Sequence, residues 1–207
     1  MKAIYLPEVP FESLYVPHIL KEIYIDKVFK HLKPCDVIVD VGANIGLTAM
    51  YLKDFGKQVY ALEPATIHYD TLLQNAYMNQ WHNVIPRKMA ISHITTQARL
   101  SLNPENRTMN SLVWDNYDGE MVKCKTFADF MGGENIETID FCKLDVEGAE
   151  EAILLGDGFT LVAPRIKSLL VEFHDFNITR SLLNHMVRLG YNYDKVPAEA
   201  ILYWFER

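Results

Sequence analysis

Cysteine is scarce: Cys35, Cys124 and Cys142 are the whole set in 207 residues, an odd number at wide spacing with no C-x-x-C pair. A disulfide framework and a Cys/His zinc cluster are excluded, and a reducing, cytoplasmic setting is expected. Basic charge is short as well, with 20 Lys plus Arg against 27 Asp plus Glu and a formal charge of -7. A surface of that sign repels a phosphate backbone, which disfavours broad nucleic-acid binding. No apolar run reaches the roughly 18 residues of a membrane span, and the one at 45–52 is broken by Thr48. The start carries no signal-peptide core, since Pro7 and Glu8 soon follow Lys2. Repeats, low-complexity tracts and Pro/Gly-rich linkers are also missing. The expected organisation is therefore one domain over residues 35–207, preceded by an extension, 1–34, that carries a covering helix.

What is present is a hydrophobic fraction of 49%, enough for a large core. Leu20, Ile23, Tyr24, Val28 and Leu32 predict a helix over 18–32 that Pro34 stops. The run Val37–Val41 has the unbroken apolar character of a parallel strand buried on both faces. A glycine-rich turn and a helix over about 47–52 follow, then a strand Gln58–Leu62 ending at Glu63-Pro64, then a helix with Thr66 as candidate cap. Strand-like segments are read at 83–91, 98–102, 111–114 and 121–127, with a polar loop over 103–110. Strand Ile139–Val146, a helix from Ala149 to Leu155 stopped by Gly156, strand Ile166–Phe173 and a helix over 178–189 come next. Two strands, 191–196 and 199–205, pair around Pro197. Alternation of this kind predicts an α/β fold with a doubly wound sheet, whose ligand crevice lies at the carboxyl ends of the strands. Trp81, Trp114 and Trp204 read as packing residues, and Cys142 as a small core residue.

Chemistry-bearing residues gather at those strand ends. Asp40-x-Gly42-x-Asn44-x-Gly46 sits where the first strand turns into a helix, and Glu63 closes the second strand. Glycines let the backbone approach a ligand, the turn offers N–H groups, and a carboxylate at Glu63 can accept two ribose hydroxyls, so the pattern fits a nucleoside. Asn44 stands where a dinucleotide fingerprint wants glycine. That and the acidic Asp40 rank S-adenosylmethionine, which has no phosphate and carries a cationic sulfonium, above NAD. Lys143-Leu144-Asp145-Val146-Glu147-Gly148-Ala149-Glu150 ends a second strand beside the first, so Asp145 and Glu147 are expected to face the same crevice. Glu150 reads as a surface carboxylate complementing a helix dipole. Alternation sends Glu172 and His174 to one face and Phe173 to the other, which makes the pair a candidate base and orienter. Asp145, Glu147, Glu172 and His174 are hard-metal ligand types, but no ligand spacing is met, so no metal site is assigned.

These residues resemble the FkbM family of S-adenosylmethionine-dependent methyltransferases. The likeness rests on VDVGANIG (39–46), LEP (62–64), Leu72-x-x-Asn75-x-x-x-Asn79, Ala90-Ile91-Ser92, Ser111-Leu112, KLDVEGAE (143–150) with Gly156, and Glu172-Phe173-His174. It implies a class I methyltransferase, Rossmann-like fold: a mostly parallel seven-stranded sheet with one antiparallel strand near the C-terminus. It also implies O-methylation of a hydroxyl on a sugar, glycan or secondary metabolite. Asp40, Gly42, Asn44 and Gly46 would then surround the methionine moiety, Glu63 the ribose, Ala90 and Ile91 the adenine, and Asp145 the transferring methyl. His174, Glu172 and Glu147 are the candidate catalytic bases. The expected partner is a small-molecule or glycan acceptor. The alternatives are a non-catalytic nucleoside-binding module, an NAD-dependent oxidoreductase, which the lack of a Tyr-x-x-x-Lys pair disfavours, and an RNA 2′-O-methyltransferase, which the acidic charge disfavours.

Overall fold

The computed structural model describes residues 16–102, 111–112, 119–174, 180–198 and 201–207. The expectations for the segment at Lys2, the loop 103–110, Trp114 and Ile178 lie outside them. Ten strands are described: β1 (Cys35–Val41), β2 (Gly56–Leu62), β3 (Val84–Arg87), β4 (Ala90–Ile91), β5 (Thr96–Ser101), β6 (Gly119–Lys125), β7 (Ile139–Leu144), β8 (Ile166–Glu172), β9 (Asn192–Val196) and β10 (Leu202–Glu206). Seven form one sheet in the order β3-β2-β1-β7-β8-β10-β9. Its first five strands run parallel, and β10 lies antiparallel to both β8 and β9. The α/β expectation, with one antiparallel strand near the C-terminus, is met.

Period-two alternation builds two cores from the same strands. Val39, Val41, Cys142, Leu144, Leu169 and Val171 belong to one buried cluster, which α4 (Phe127–Glu134), α5 (Glu150–Leu155) and α7 (Arg180–Arg188) help to build. Ile38, Val59, Ala61, Phe141 and Leu170 face the other way, toward α2 (Leu47–Leu52) and α3 (Thr66–Met78). Trp81 and Trp204 join this second cluster, and Phe141 stacks on Trp204 at 5.2 Å between ring centroids. An aromatic of this size contributes roughly 3–5 kcal/mol against truncation to alanine.

Four local expectations are corrected. The helix expected over 18–32 is α1 (Val16–Lys21) followed by a π-turn at Glu22–Asp26, ended by Lys27 at φ 54° rather than by Pro34. Ile23 is the buried residue of that turn, and the buried Val28 and Phe29 lie beyond it, after the left-handed Lys27. The strand expected over 83–91 divides into β3 and β4, because the chain leaves the main sheet at Lys88 and Met89 to join a small sheet ordered β4-β6-β5. Of the segment 111–114, Ser111 makes an isolated bridge to Ser101, and residues 113 and 114 lie outside the described ones. Thr66 is the first residue of α3 rather than its cap. Its N–H donates 2.6 Å to Glu120 Oε1 on β6, so a neighbouring sheet supplies the capping acceptor.

Candidate active site

The same alternation aims the chemistry. On the face of the sheet that carries Ile38, Val59, Phe141 and Leu170, the next positions in step are Asp40, Ala61, Lys143 and Glu172, and one step further are Gly42, Glu63, Asp145 and His174. The carboxyl ends of β1, β2, β7 and β8 open onto a cleft of about 280 Å³. Gly42, Asn44, Glu63, Ala90, Ile91, Asp145, Glu147, Glu172 and His174 all line it. Asp40 and Gly46 do not. Asp40 is wholly buried behind the wall, and Gly46 is the N-cap of α2 at φ 94°, where a Cβ would meet Leu72 Cδ1 at 2.7 Å.

Backbone contacts fix the glycine-rich turn. The N–H groups of Gly42 and Ala43 both donate to the Leu62 carbonyl at 3.0 Å. A Cβ on Gly42, at φ 82°, would lie 1.8 Å from the Asp145 carbonyl oxygen, so only glycine lets β1 and the chain after β7 come this close. Asn44 is left-handed at φ 50°, a conformation asparagine tolerates. Its Oδ1 accepts from the Ile45 N–H at 2.7 Å. Buried Asn75 on α3 donates 2.9 Å to the Ile45 carbonyl, which ties α3 to the glycine-rich turn.

Glu63 is held at both ends. Its Oε2 accepts from the Asn44 N–H and its Oε1 from the Ala65 N–H, each at 2.9 Å. Each oxygen keeps a lone pair for a further donor in the cleft. Burial pushes the Glu63 carboxyl up to about 7, against the pull of those two N–H bonds and the charge of Lys143. Buried His68 stands beside it, Nδ1 to Oε1 at 3.8 Å.

Opposite Glu63 lies an acidic cluster around one imidazole. His174 Nδ1 is 3.0 Å from Glu150 Oε1, and a carboxylate only accepts, so Nδ1 carries a proton and Nε2 faces the cluster. From Nε2, Glu147 Oε2 is at 3.3 Å and Asp145 Oδ1 and Glu172 Oε1 are each at 3.7 Å. Burial opposes the charge on His174, but the hydrogen bond to Glu150 and the charges of Asp145 and Glu147 outweigh it and push the ring up to about 9. Burial, then the charge of Asp145, raises Glu147 to about 7 and Glu172 to about 8. Burial likewise raises Asp40 to about 6. Lys143 Nζ lies 2.7 Å from Asp145 Oδ2 and 3.9 Å from Asp40 Oδ1. Burial works against its charge, and Asp145 and Asp40 prevail and hold it above its ordinary value.

Glu150 corrects the surface-dipole expectation. It is 2% exposed, and besides His174 it accepts from the Val146 N–H at 3.0 Å and from the Gly148 N–H at 3.1 Å. Those bonds close the turn in which Glu147 adopts φ 57° and Gly148 φ 107°. The expected pairing of Glu172 with His174 as orienter is thereby replaced, since Glu150 makes the orienting bond. His18, Ile19 and Glu22 of the N-terminal segment, together with His68, Met89, Leu100 and Lys143, line the cleft without having been expected there. Lys143 was legible, standing two residues before Asp145 on the same strand face; the N-terminal residues carried no signal. Cys142 and Cys124 are both buried, and burial raises both thiols, so neither is a poised nucleophile.

The family model described as the methyltransferase FkbM domain matches residues 40–193. The chain is 27% identical over 202 residues to methyltransferase 1 of Beauveria bassiana, an alignment covering 84% of this chain and 81% of that protein. It is 29% identical over 194 residues to the 31-O-demethyl-FK506 methyltransferase FkbM of Streptomyces tacrolimicus, covering 75% and 73%. Its fold is similar to the crystal structure of methyltransferase FkbM from Methylobacillus flagellatus, with a TM-score of 0.59 at 17% identity. That alignment covers 97% of this chain and 48% of the other, so the chain spans about half of that structure. Among the described residues no helix is long and apolar enough to cross a membrane.

Proposed function

The chain belongs to the FkbM methyltransferase domain family, and on that premise we propose that it transfers a methyl group from S-adenosylmethionine to a hydroxyl of a sugar, glycan or secondary metabolite. The observation that carries the reading is the carboxylate of Glu63, gripped by the Asn44 and Ala65 N–H groups at the lip of the cleft. The residues fit the cofactor: Gly42, Asn44, Glu63, Ala90 and Ile91 line one cleft of about 280 Å³, and each Glu63 oxygen, already accepting one N–H, keeps a lone pair for a ribose hydroxyl. In this reading Gly42 and Asn44 bound the methionine moiety, Asp40 and Gly46 support that turn from behind, Glu63 accepts the ribose hydroxyls, Ala90 and Ile91 flank the adenine, and Asp145 borders the methyl. When bound, the cofactor supplies an electrophilic methyl on a sulfonium. The 31-O position in the name of the Streptomyces relative supports oxygen as the methylated atom.

The chain's own contribution is positioning and proton management. His174, at about 9, keeps its proton at neutral pH and is a poor base in this state. Glu172, at about 8, also holds its proton at neutral pH, and Glu147, at about 7, is the better matched acceptor for the hydroxyl proton. The test is incubation of the chain with methyl-labelled S-adenosylmethionine and a panel of sugar, glycan and polyol hydroxyls. Label on oxygen of at least one acceptor, lost in Glu147→Gln, is the expected result; label on nitrogen or carbon overturns the O-methyl assignment.

A further inference from the structure

Ser111 is 1% exposed and does not line the cleft, yet its Oγ donates to the Glu147 carbonyl at 2.7 Å. We propose that Ser111 is a positioning residue for methyl transfer: its hydroxyl clamps the Glu147–Gly148 peptide and so holds the Glu147 carboxylate where it takes the acceptor's proton. The proton role rests on the methyl-transfer reading; the clamp does not.

A peptide unit has one acceptor and one donor, and buried side chains take both ends of this one. The Glu147 carbonyl accepts from Ser111, and the Gly148 N–H donates to Glu150 at 3.1 Å. Together the two bonds fix the peptide plane. A flip would turn the carbonyl toward the Glu150 carboxylate and leave the Ser111 hydroxyl without its acceptor in a dry place, which is costly. Both residues of the unit lie at positive φ, 57° at Glu147 and 107° at Gly148. A glutamate in the left-handed region is uncommon and persists where its surroundings over-determine it. Because the Glu147 side chain leaves from this held turn, the clamp sets where its carboxylate ends, with Oε2 3.3 Å from His174 Nε2. Glu150 serves the turn and the imidazole at once, whereas the Ser111 side chain reaches the turn from another part of the fold.

Ser111 is itself held. Its N–H donates to the Ser101 carbonyl at 3.1 Å and its carbonyl accepts from the Ser101 N–H at 2.9 Å, an antiparallel bridge at the end of β5. That strand belongs to the small sheet whose β4 carries Ala90 and Ile91, and Leu100 and Leu112, next to the two serines, line the cleft. The clamp thus ties the small sheet to the turn that bears Glu147. Ser101 supplies the contrast. It shares the bridge and is 4% exposed, but its buried Oγ bonds to no described residue. Two buried serines with one backbone arrangement therefore differ in what their hydroxyls hold.

The experiment compares the full chain as wild type, Ser111→Ala and Ser101→Ala. It reads methyl transfer to the acceptor found by the labelling panel and, with no acceptor present, ¹³C NMR titration of the Glu147 carboxyl, assigned by its absence in Glu147→Gln. Ser111→Ala is expected to lower kcat at least about tenfold while the acceptor KM and the S-adenosylhomocysteine Kd stay within about threefold. Burial and the charges of Asp145 and Glu150 hold the Glu147 carboxyl at about 7 against His174 and Lys143, so releasing the turn moves its titration down toward the ordinary carboxylate range. Ser101→Ala is expected to change kcat by less than about twofold and to leave the titration in place. A kcat near wild type in Ser111→Ala, or a Glu147 titration that does not move, overturns the clamp. An equal loss in Ser101→Ala also overturns it, because the bridge and not the hydroxyl is then responsible. Circular dichroism checks each fold, and Ser111→Cys, near in size and only a weak donor, replaces a Ser111→Ala chain that fails and is held to the same outcomes. Where wild type labels no hydroxyl, the methyl-transfer reading falls and the titration alone decides: a shift confined to Ser111→Ala supports the clamp, and an unmoved carboxyl overturns it.

Discussion

His174 Nδ1 and Glu150 Oε1 are 3.0 Å apart, and the same carboxylate holds the Val146 and Gly148 N–H groups. One buried side chain thus sets both the aim of the imidazole and the shape of the turn that carries Glu147. Removing it strands a charged ring and two donors. Glu150→Ala is expected to cost about 3–5 kcal/mol, a drop of roughly 10 °C in Tm for a domain of this size. Glu150→Gln, which keeps an acceptor, recovers part of the loss. Thermal melts followed by circular dichroism check it, and equal, small losses in both variants would show that the carboxylate carries little.

Gly42 has a backbone reason to be glycine. Its φ is 82° and a Cβ would press on the Asp145 carbonyl at 1.8 Å, so Gly42→Ala is expected to destabilise by more than about 2 kcal/mol and to weaken nucleoside binding. Exposed Gly132, inside α4 with nothing within 4 Å of a built Cβ, is the matched control. Gly132→Ala is expected to stabilise by about 0.5–1 kcal/mol. Urea unfolding of the two variants measures the contrast.

Glu63 makes ligand binding pH-dependent. Burial raises its carboxyl from 4.5 to about 7, while His68, Lys143 and Asp145 are the charged or titratable groups around it. Only the ionised form offers both oxygens to ribose hydroxyls. S-adenosylhomocysteine affinity should therefore rise about tenfold from pH 6 to pH 8, and Glu63→Gln should flatten that slope. The stability sign is opposite. A carboxyl raised on folding favours the folded, cofactor-free chain fully below its unfolded value and loses that contribution as pH rises through about 7. The Tm of wild type relative to Glu63→Gln should accordingly fall between pH 5 and pH 8.

Much of this was legible in the sequence because the strands are buried on both faces and alternate strictly. Ile38-Asp40-Gly42, Phe141-Lys143-Asp145 and Leu170-Glu172-His174 read as core, then polar, then cleft, and the cleft holds the last member of each. The glycine turn and Glu63 were readable for the same reason, as features of strand ends. Glu150 was not, since a glutamate at a helix start has the same local signature on a surface as in a buried turn; only the tertiary approach of His174 separates them. The division of 83–91 between two sheets was hidden because β-propensity does not say which neighbour a strand will find. The N-terminal residues His18 and Ile19, on α1, and Glu22, at the start of the π-turn, line the cleft through tertiary packing that a local 3.6-residue period does not report.

Calorimetric titration with S-adenosylhomocysteine and, separately, with NAD, on wild type and Glu63→Ala, tests the central claim most directly. The account predicts micromolar binding of S-adenosylhomocysteine, no binding of NAD, and at least a tenfold loss in Glu63→Ala, about 1.4 kcal/mol or more. Binding of NAD in preference, or S-adenosylhomocysteine binding that Glu63→Ala leaves intact, would contradict it.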